Sequence, residues 1–175
     1  MTQKPEPGRN GFTLIELVVI ILILSIVAAV AVPQFGEVYR GVKLSGAAKK
    51  MVNDLRYAQN LAASSQQCHR AAFTGTAAYE VRDMGGACPA AGVGTLVPDP
   101  LTRSGMAVDL TRPEFSGVLI TLPTGFAGDY VEFDSLGRPY DSGGLLAAAK
   151  SVVLTAGSEN RTITVQPQTG RVGSN

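Results

Sequence analysis

Residues 12–32, FTLIELVVIILILSIVAAVAV, constrain this chain more than any other feature, because Glu16 is their single charge. About 20 such residues span the hydrocarbon core of a bilayer, and a helix of that length reaches roughly 30 Å. The run predicts one transmembrane helix. The residues ahead of it, MTQKPEPGRNG, carry Lys4 and Arg9 among two prolines and two glycines. They predict no helix, and the positive-inside tendency keeps them cytoplasmic and sends residues 33–175 across the membrane. The whole chain carries 15 Lys+Arg against 14 Asp+Glu, with 17% of residues charged. That balance excludes a strongly basic nucleic-acid binder and an acidic disordered tail. Residues 33–175 are enough for one independent core, since a domain of roughly 150 residues buries about two-thirds of its unfolded surface.

A secretory h-region is shorter, about 7–15 residues, and would not carry a carboxylate. Ala29-Val30-Ala31 nevertheless reads as a small-x-small cleavage site, so a removed signal peptide is one alternative and a plain uncleaved anchor another. Glu16 separates these readings. A charge well inside a membrane helix costs about 2.5–3.5 kcal/mol on insertion scales and asks for a partner. The bland reading is that it snorkels to the headgroups, helped by the positive end of the helix dipole.

The hexapeptide Gly11-Phe12-Thr13-Leu14-Ile15-Glu16, behind a short basic leader and ahead of an unbroken apolar run, resembles the prepilin signal of type IV pilins and type II secretion pseudopilins. That resemblance implies cleavage after Gly11 by a prepilin peptidase on the cytoplasmic side, with methylation of the new amine on Phe12. It also implies an assembly role for Glu16, whose partner becomes the amine of a neighbouring subunit in a filament. Pro33 falls 22nd in the mature chain, where many pilins carry proline.

Pro33 lacks the N–H that would serve the Ala29 carbonyl, which predicts a kink or local melting of the helix there. Beyond it the helical period resumes. Val38, Val42, Ala48, Met51, Val52, Leu55, Ala58 and Ala62 form an apolar stripe, with Arg40, Lys43, Lys49, Lys50, Asp54 and Arg56 at polar positions. The stripe is expected to pack on a sheet. Gly36, Gly41 and Gly46 each weaken this stem by about 1 kcal/mol relative to Ala, which reads either as a merely poor helix or as a segment able to bend or stretch.

After about residue 67 the composition changes to short β-like runs divided by Gly, Pro and Asp. Residues 70–73, 78–82, 117–122, 130–133, 151–155 and 162–166 predict strands, mostly antiparallel, with the last two forming a hairpin. Residues 84–116, with four prolines and five glycines, read as a loop or variable insert. The expected fold is α+β and pilin-like: a long N-terminal helix, half membrane segment and half amphipathic stem, packed on an antiparallel sheet. Its expected parts are a leader (1–11), a membrane and assembly helix (12–32), a stem (33–67) and a β-rich globular part (68–175).

Three further stretches extend the resemblance. Asp54-Leu55-Arg56-Tyr57-Ala58-Gln59, Val131 to Pro139, and Ile163 to Val172 are similar to the GspH/FimT family of minor pseudopilins and minor pilins. Gly-Arg-Pro within the second is also simply a good turn.

The chemistry of an enzyme is missing. There is one histidine, His69, and no glycine-rich phosphate loop. Cys68, His69 and Cys88 lack a fourth ligand at structural-zinc spacing, so no metal and no cofactor are expected. Outside the cytoplasm a Cys68–Cys88 disulfide is the better reading. Asn160-Arg161-Thr162 matches a glycosylation sequon, but prepilin leaders belong to bacteria and archaea.

Three function classes compete. The first is a minor pseudopilin of a type II secretion system, supporting protein secretion from a single-pass position in the bacterial inner membrane with a periplasmic globular part. Its implied partners are the prepilin peptidase/N-methyltransferase, other pseudopilins or pilins and an inner-membrane assembly platform. The second is a FimT-like minor pilin of a type IV pilus, some of which bind DNA through an arginine-bearing tail. Here the tail holds only Arg171, and residues 33–175 have a net charge of +1, which disfavours nucleic acid. The third, a secreted enzyme behind a removed signal peptide, is disfavoured by Glu16 and the missing catalytic set.

Overall fold

The computed structural model describes residues 11–175, except for the side chains of Val30 and residues 32–35. The expectation for residues 1–10 lies outside the described residues. One helix, α1 (Leu14–Ser65, 52 residues), runs from the apolar segment into the stem. α1 runs through Pro33 without interruption, so the helix does not melt there as one of the two expectations had it. The helix stops after Ser65 because Gln66 turns left-handed at φ 57°. The chain forms two compact units, one up to Val38 and one from Tyr39 to Asn175.

In the first unit the side chains from Gly11 to Ala29 are all exposed. A helix apolar on every side finds its cover in lipid or in other chains, not in its own fold. Among the described residues no helix is long and apolar enough to cross a membrane.

The second unit holds the core. Eleven strands follow α1 in chain order: β1 (His69–Gly75), β2 (Ala78–Asp83), β3 (Thr95–Leu96), β4 (Ala107–Asp109), β5 (Leu119–Ile120), β6 (Tyr130–Phe133), β7 (Pro139–Asp141), β8 (Gly144–Leu145), β9 (Lys150–Ala156), β10 (Glu159–Val165) and β11 (Val172–Ser174). They make two antiparallel sheets where the sequence suggested one. The first has the order β3-β2-β1-β6-β7-β8, with β4 also pairing β2, and the second the order β11-β10-β9-β5. Inward alternation is clean in β1, where His69, Ala71 and Phe73 are buried, and in β9, where Val152, Leu154 and Ala156 are buried. All six expected strands are present. The expected hairpin closes through Gly157-Ser158, with Ala156 opposite Glu159.

Both sheets pack with the stem face formed by Leu44, Ala47, Ala48, Met51, Val52, Leu55, Ala58 and Ala62. Val38 and Val42, expected on that stripe, are 67% and 64% exposed. The buried face of the stem begins at Leu44. Asp54, placed by its charge among polar positions, is buried. A Cβ on Gly41 would come 3.1 Å from Glu159 Oε2, the end of an exposed side chain that can give way. Residues 84–116 are also more than an insert. They carry β3 and β4 and send Val97, Met106, Val108 and Leu110 into the core.

Candidate functional site

The sequence points to the start of α1. Gly11, Phe12 and Thr13 precede the helix as irregular, exposed backbone, so the Gly11–Phe12 bond lies outside regular structure. A Cβ at Gly11 would meet nothing within 4 Å. Nothing in the described fold therefore demands glycine there. The helix begins because Thr13 caps it: its Oγ1 accepts the Glu16 N–H at 3.3 Å, and its carbonyl accepts the Leu17 N–H at 3.2 Å. Thr13-Leu14-Ile15-Glu16 is the S/T-x-x-E pattern of a capping box. Thr13 as a cap was not among the expectations, although that four-residue pattern is the signal that marks it. Glu16 thus sits in the first helical turn, exposed, where the helix dipole favours a carboxylate.

The structure places Cys68 and Cys88 in a disulfide, with Cα atoms 5.3 Å apart. It ties the segment after β2 back to the start of β1. Beside it Glu132, fully buried on β6, takes Arg70 Nε at 2.8 Å and Nη2 at 2.6 Å on one oxygen and the Ala90 N–H at 3.1 Å on the other. Arg70 also donates to the carbonyls of Ala90 and Gly92 and lies 4.1 Å from the centre of the Tyr130 ring. Two covalently joined sulfurs and an ion-paired carboxylate within 4.8 Å of one another form the one ligand-type cluster among the described residues, and all three are already committed. His69, the third candidate ligand in the sequence, is buried with Nδ1 3.2 Å from the Gln67 carbonyl.

The three stretches that carried the later resemblance meet in space. Gln59 Nε2 donates to the Gly137 carbonyl and to the Thr169 carbonyl, each at 2.9 Å. One stem residue thereby fastens a turn from each sheet. Gly170 sits between them at φ 63°, where a Cβ would collide with the Gly137 carbonyl oxygen and the Gln59 amide. Asp134 builds the first turn by accepting the N–H groups of Leu136 at 2.9 Å and Arg138 at 2.8 Å, and Arg138 Nε at 2.8 Å. Burial pushes the Asp134 carboxyl up, but the Arg138 guanidinium and these N–H groups outweigh it and hold the group below the usual aspartate range. Asp54 is the opposite case. Burial dominates and raises it, although Tyr79 OH at 2.7 Å and Lys50 Nζ stabilise the charge.

The family model for the prokaryotic N-terminal methylation motif matches residues 7–32. No curated protein matches the sequence. Two crystal structures of the type IV minor pilin FimU from Pseudomonas aeruginosa resemble it at a TM-score of 0.47 each, with 13% and 14% identity. They cover 75% of this chain and 87% and 92% of the FimU chains. A likeness of that size carries no argument about function. The chain has a prepilin-type N-terminal methylation motif, and the stem of its long helix packs on antiparallel sheets.

Proposed function

We propose that this chain is a minor pseudopilin that assembles through its N-terminal helix into a periplasmic filament of a type II secretion system and supports protein secretion. The observation that carries this reading is the methylation motif over residues 7–32, within which the exposed Gly11–Phe12 bond leads into a capped, uncovered helix start whose single charge is Glu16. Residues 1–11 are the leader removed by a prepilin peptidase, which then methylates Phe12. The span over residues 12–32 rests on the sequence. It holds the chain in the inner membrane, N-terminus cytoplasmic and globular part periplasmic, until an assembly platform moves it among other pseudopilins.

Glu16 is the assembly residue in this scheme. Once Gly11 is removed, the Phe12 amine is a cation four residues ahead of Glu16, on the irregular backbone that leads into α1. A neighbouring chain displaced along a filament brings a second amine to the carboxylate. In a low-dielectric bundle that pair selects register, because a wrong stagger leaves a buried charge unpaired at a cost of several kcal/mol.

Glu16→Ala should therefore be inserted and processed at near-normal levels yet fail to cross-link to other pilin-like subunits. A variant that assembles like the wild type would reduce Glu16 to a snorkelling carboxylate, and one lost before insertion would give it a targeting role. Deletion of the gene should abolish secretion of exported proteins. Loss of surface pili with secretion intact would assign the subunit to a type IV pilus instead.

A further inference from the structure

We propose that the outer edge of β11 and the adjoining face of α1 form a docking groove for an extended, carboxylate-bearing peptide segment of a partner protein, added as a fifth strand to the four-stranded sheet. β11 ends that sheet and pairs with β10 on one side only. Thr162 and Asn175 exchange both backbone hydrogen bonds, at 3.2 and 3.0 Å, which fixes the alternation along the pair. Asn175 and Gly173 face β10, so Val172 and Ser174 turn their N–H and C=O groups outward. Arg56 marks that direction by donating from Nη2 to the Val172 carbonyl at 2.8 Å. Among the described residues the Val172 and Ser174 N–H groups and the Ser174 carbonyl have no hydrogen-bond partner.

Opposite this edge lies a cavity of about 450 Å³ lined by Lys49, Val52, Asn53, Arg56, Gly173 and Ser174. Lys49, Asn53 and Arg56 follow one another at four and three residues, so they share one helix face. The lining therefore offers an apolar floor at Val52, two cations and no carboxylate. Lys49 makes no ion pair among the described residues. A Cβ at Gly173 would meet nothing within 4 Å, which leaves room above the strand. The other sheet edges β3, β5 and β8 are two residues long, too short to template a strand, and β4, three residues long and paired only with β2, carries Asp109, whose charge repels a carboxylate-bearing segment. Edges are commonly guarded by lysine, proline or a bulge on the strand itself, and β11, Val-Gly-Ser, has none of these. Strand addition supplies main-chain hydrogen bonds, and the two cations select a carboxylate over a basic or neutral side chain. This inference does not depend on membrane insertion or on the filament.

The test uses the full chain in a nonionic detergent with three probes: a blocked peptide alternating valine and glutamate, its lysine-for-glutamate counterpart, and a single-stranded DNA oligonucleotide. The acidic peptide should bind and slow hydrogen exchange at the Val172 and Ser174 amides, while those of Leu119 and Leu145 are unchanged. Ser174→Pro removes an outward N–H without touching the β10 pairing and should weaken binding about tenfold or more. Lys49→Glu, an exposed substitution that leaves the backbone intact, should do the same. No binding of the acidic peptide, equal binding of the lysine peptide, tighter binding of DNA, or affinity indifferent to Lys49→Glu would overturn the proposal.

Discussion

From Gly11 to Val38 and from Tyr39 onward, the chain uses apolar residues in opposite ways. Leu14 is 82% exposed and Leu22 57%, whereas Leu44, Met51 and Leu55 are fully buried. Burial of a leucine contributes about 1.5–3 kcal/mol, so the second region stabilises itself while the first can be stabilised only by something outside it. Gly170 and Gly11 make the same contrast. Gly170 is demanded by its own surroundings, where a side chain would strike the Gly137 carbonyl, but Gly11 is demanded by nothing in the described fold. A residue type that its own fold does not require is where recognition by another protein is to be sought.

Core truncation should separate the two regions most sharply. Leu55→Ala should cost about 3–4 kcal/mol of unfolding free energy, while Leu22→Ala stays within about 0.5 kcal/mol. Denaturant titration of both variants checks this, and a large loss from Leu22→Ala would break the comparison. Next in size is the Cys68–Cys88 bond. Opening it should cost about 3 kcal/mol from loop-closure entropy. Thermal melts with and without a reductant measure it, with Cys68→Ser/Cys88→Ser as the matched variant.

The acidic groups make a third test within the globular region. Asp134 and Asp141 are held low despite burial, by Arg138 and Lys150 respectively together with backbone N–H groups. Their stabilisation is present above the ordinary aspartate value of 3.8 and lost as pH falls below it toward the folded-state values. Asp54 is raised by burial, so its contribution is greatest below 3.8 and is lost as pH rises through its folded-state value. Asp134→Asn should therefore lower stability at pH 7 but much less at pH 3. Asp54→Asn should flatten the loss of stability on going from acid to neutral pH. Melting curves across pH 3–7 read both; parallel curves for Asp54→Asn and wild type would contradict the burial argument. The smallest effect is expected at the cap: Thr13→Val should cost the start of α1 about 1 kcal/mol of helix stability and leave the melting of the globular region unchanged. Amide exchange at Glu16 and Leu17 would show it.

What could be read in the sequence follows from the range of the forces involved. Local patterns placed six strands and the β9–β10 hairpin, because alternation over several residues is visible in the chain itself. β3, β5 and β8 have two residues each and β4, β7 and β11 have three. At that length alternation hardly exists, and only β5 lay inside a longer expected run. Periodicity also shows which side of a helix is apolar but not how far its partner extends, which is why Val38 and Val42 were expected inside and are exposed. The division into two sheets depends on pairings such as β5 with β9, remote in the chain, and no local pattern records them. Asp54 and Glu132 look like surface charges until Tyr79 and Arg70 arrive from other elements. At the candidate site, Gly11, Phe12 and Glu16 were legible as a contiguous motif. Gln59, Gly137 and Gly170 were noticed only as parts of a resemblance, since their shared hydrogen bonds exist only in the folded chain.

The most direct test is the N-terminus of the chain extracted from its native membrane, read by intact mass and terminal peptide sequencing. A chain that begins with N-methylated Phe12 is the predicted result. A terminus at Val32 would mean that a signal peptidase had removed the apolar run, and a functional chain retaining Met1 would mean a plain anchor; either would contradict assembly through a processed helix.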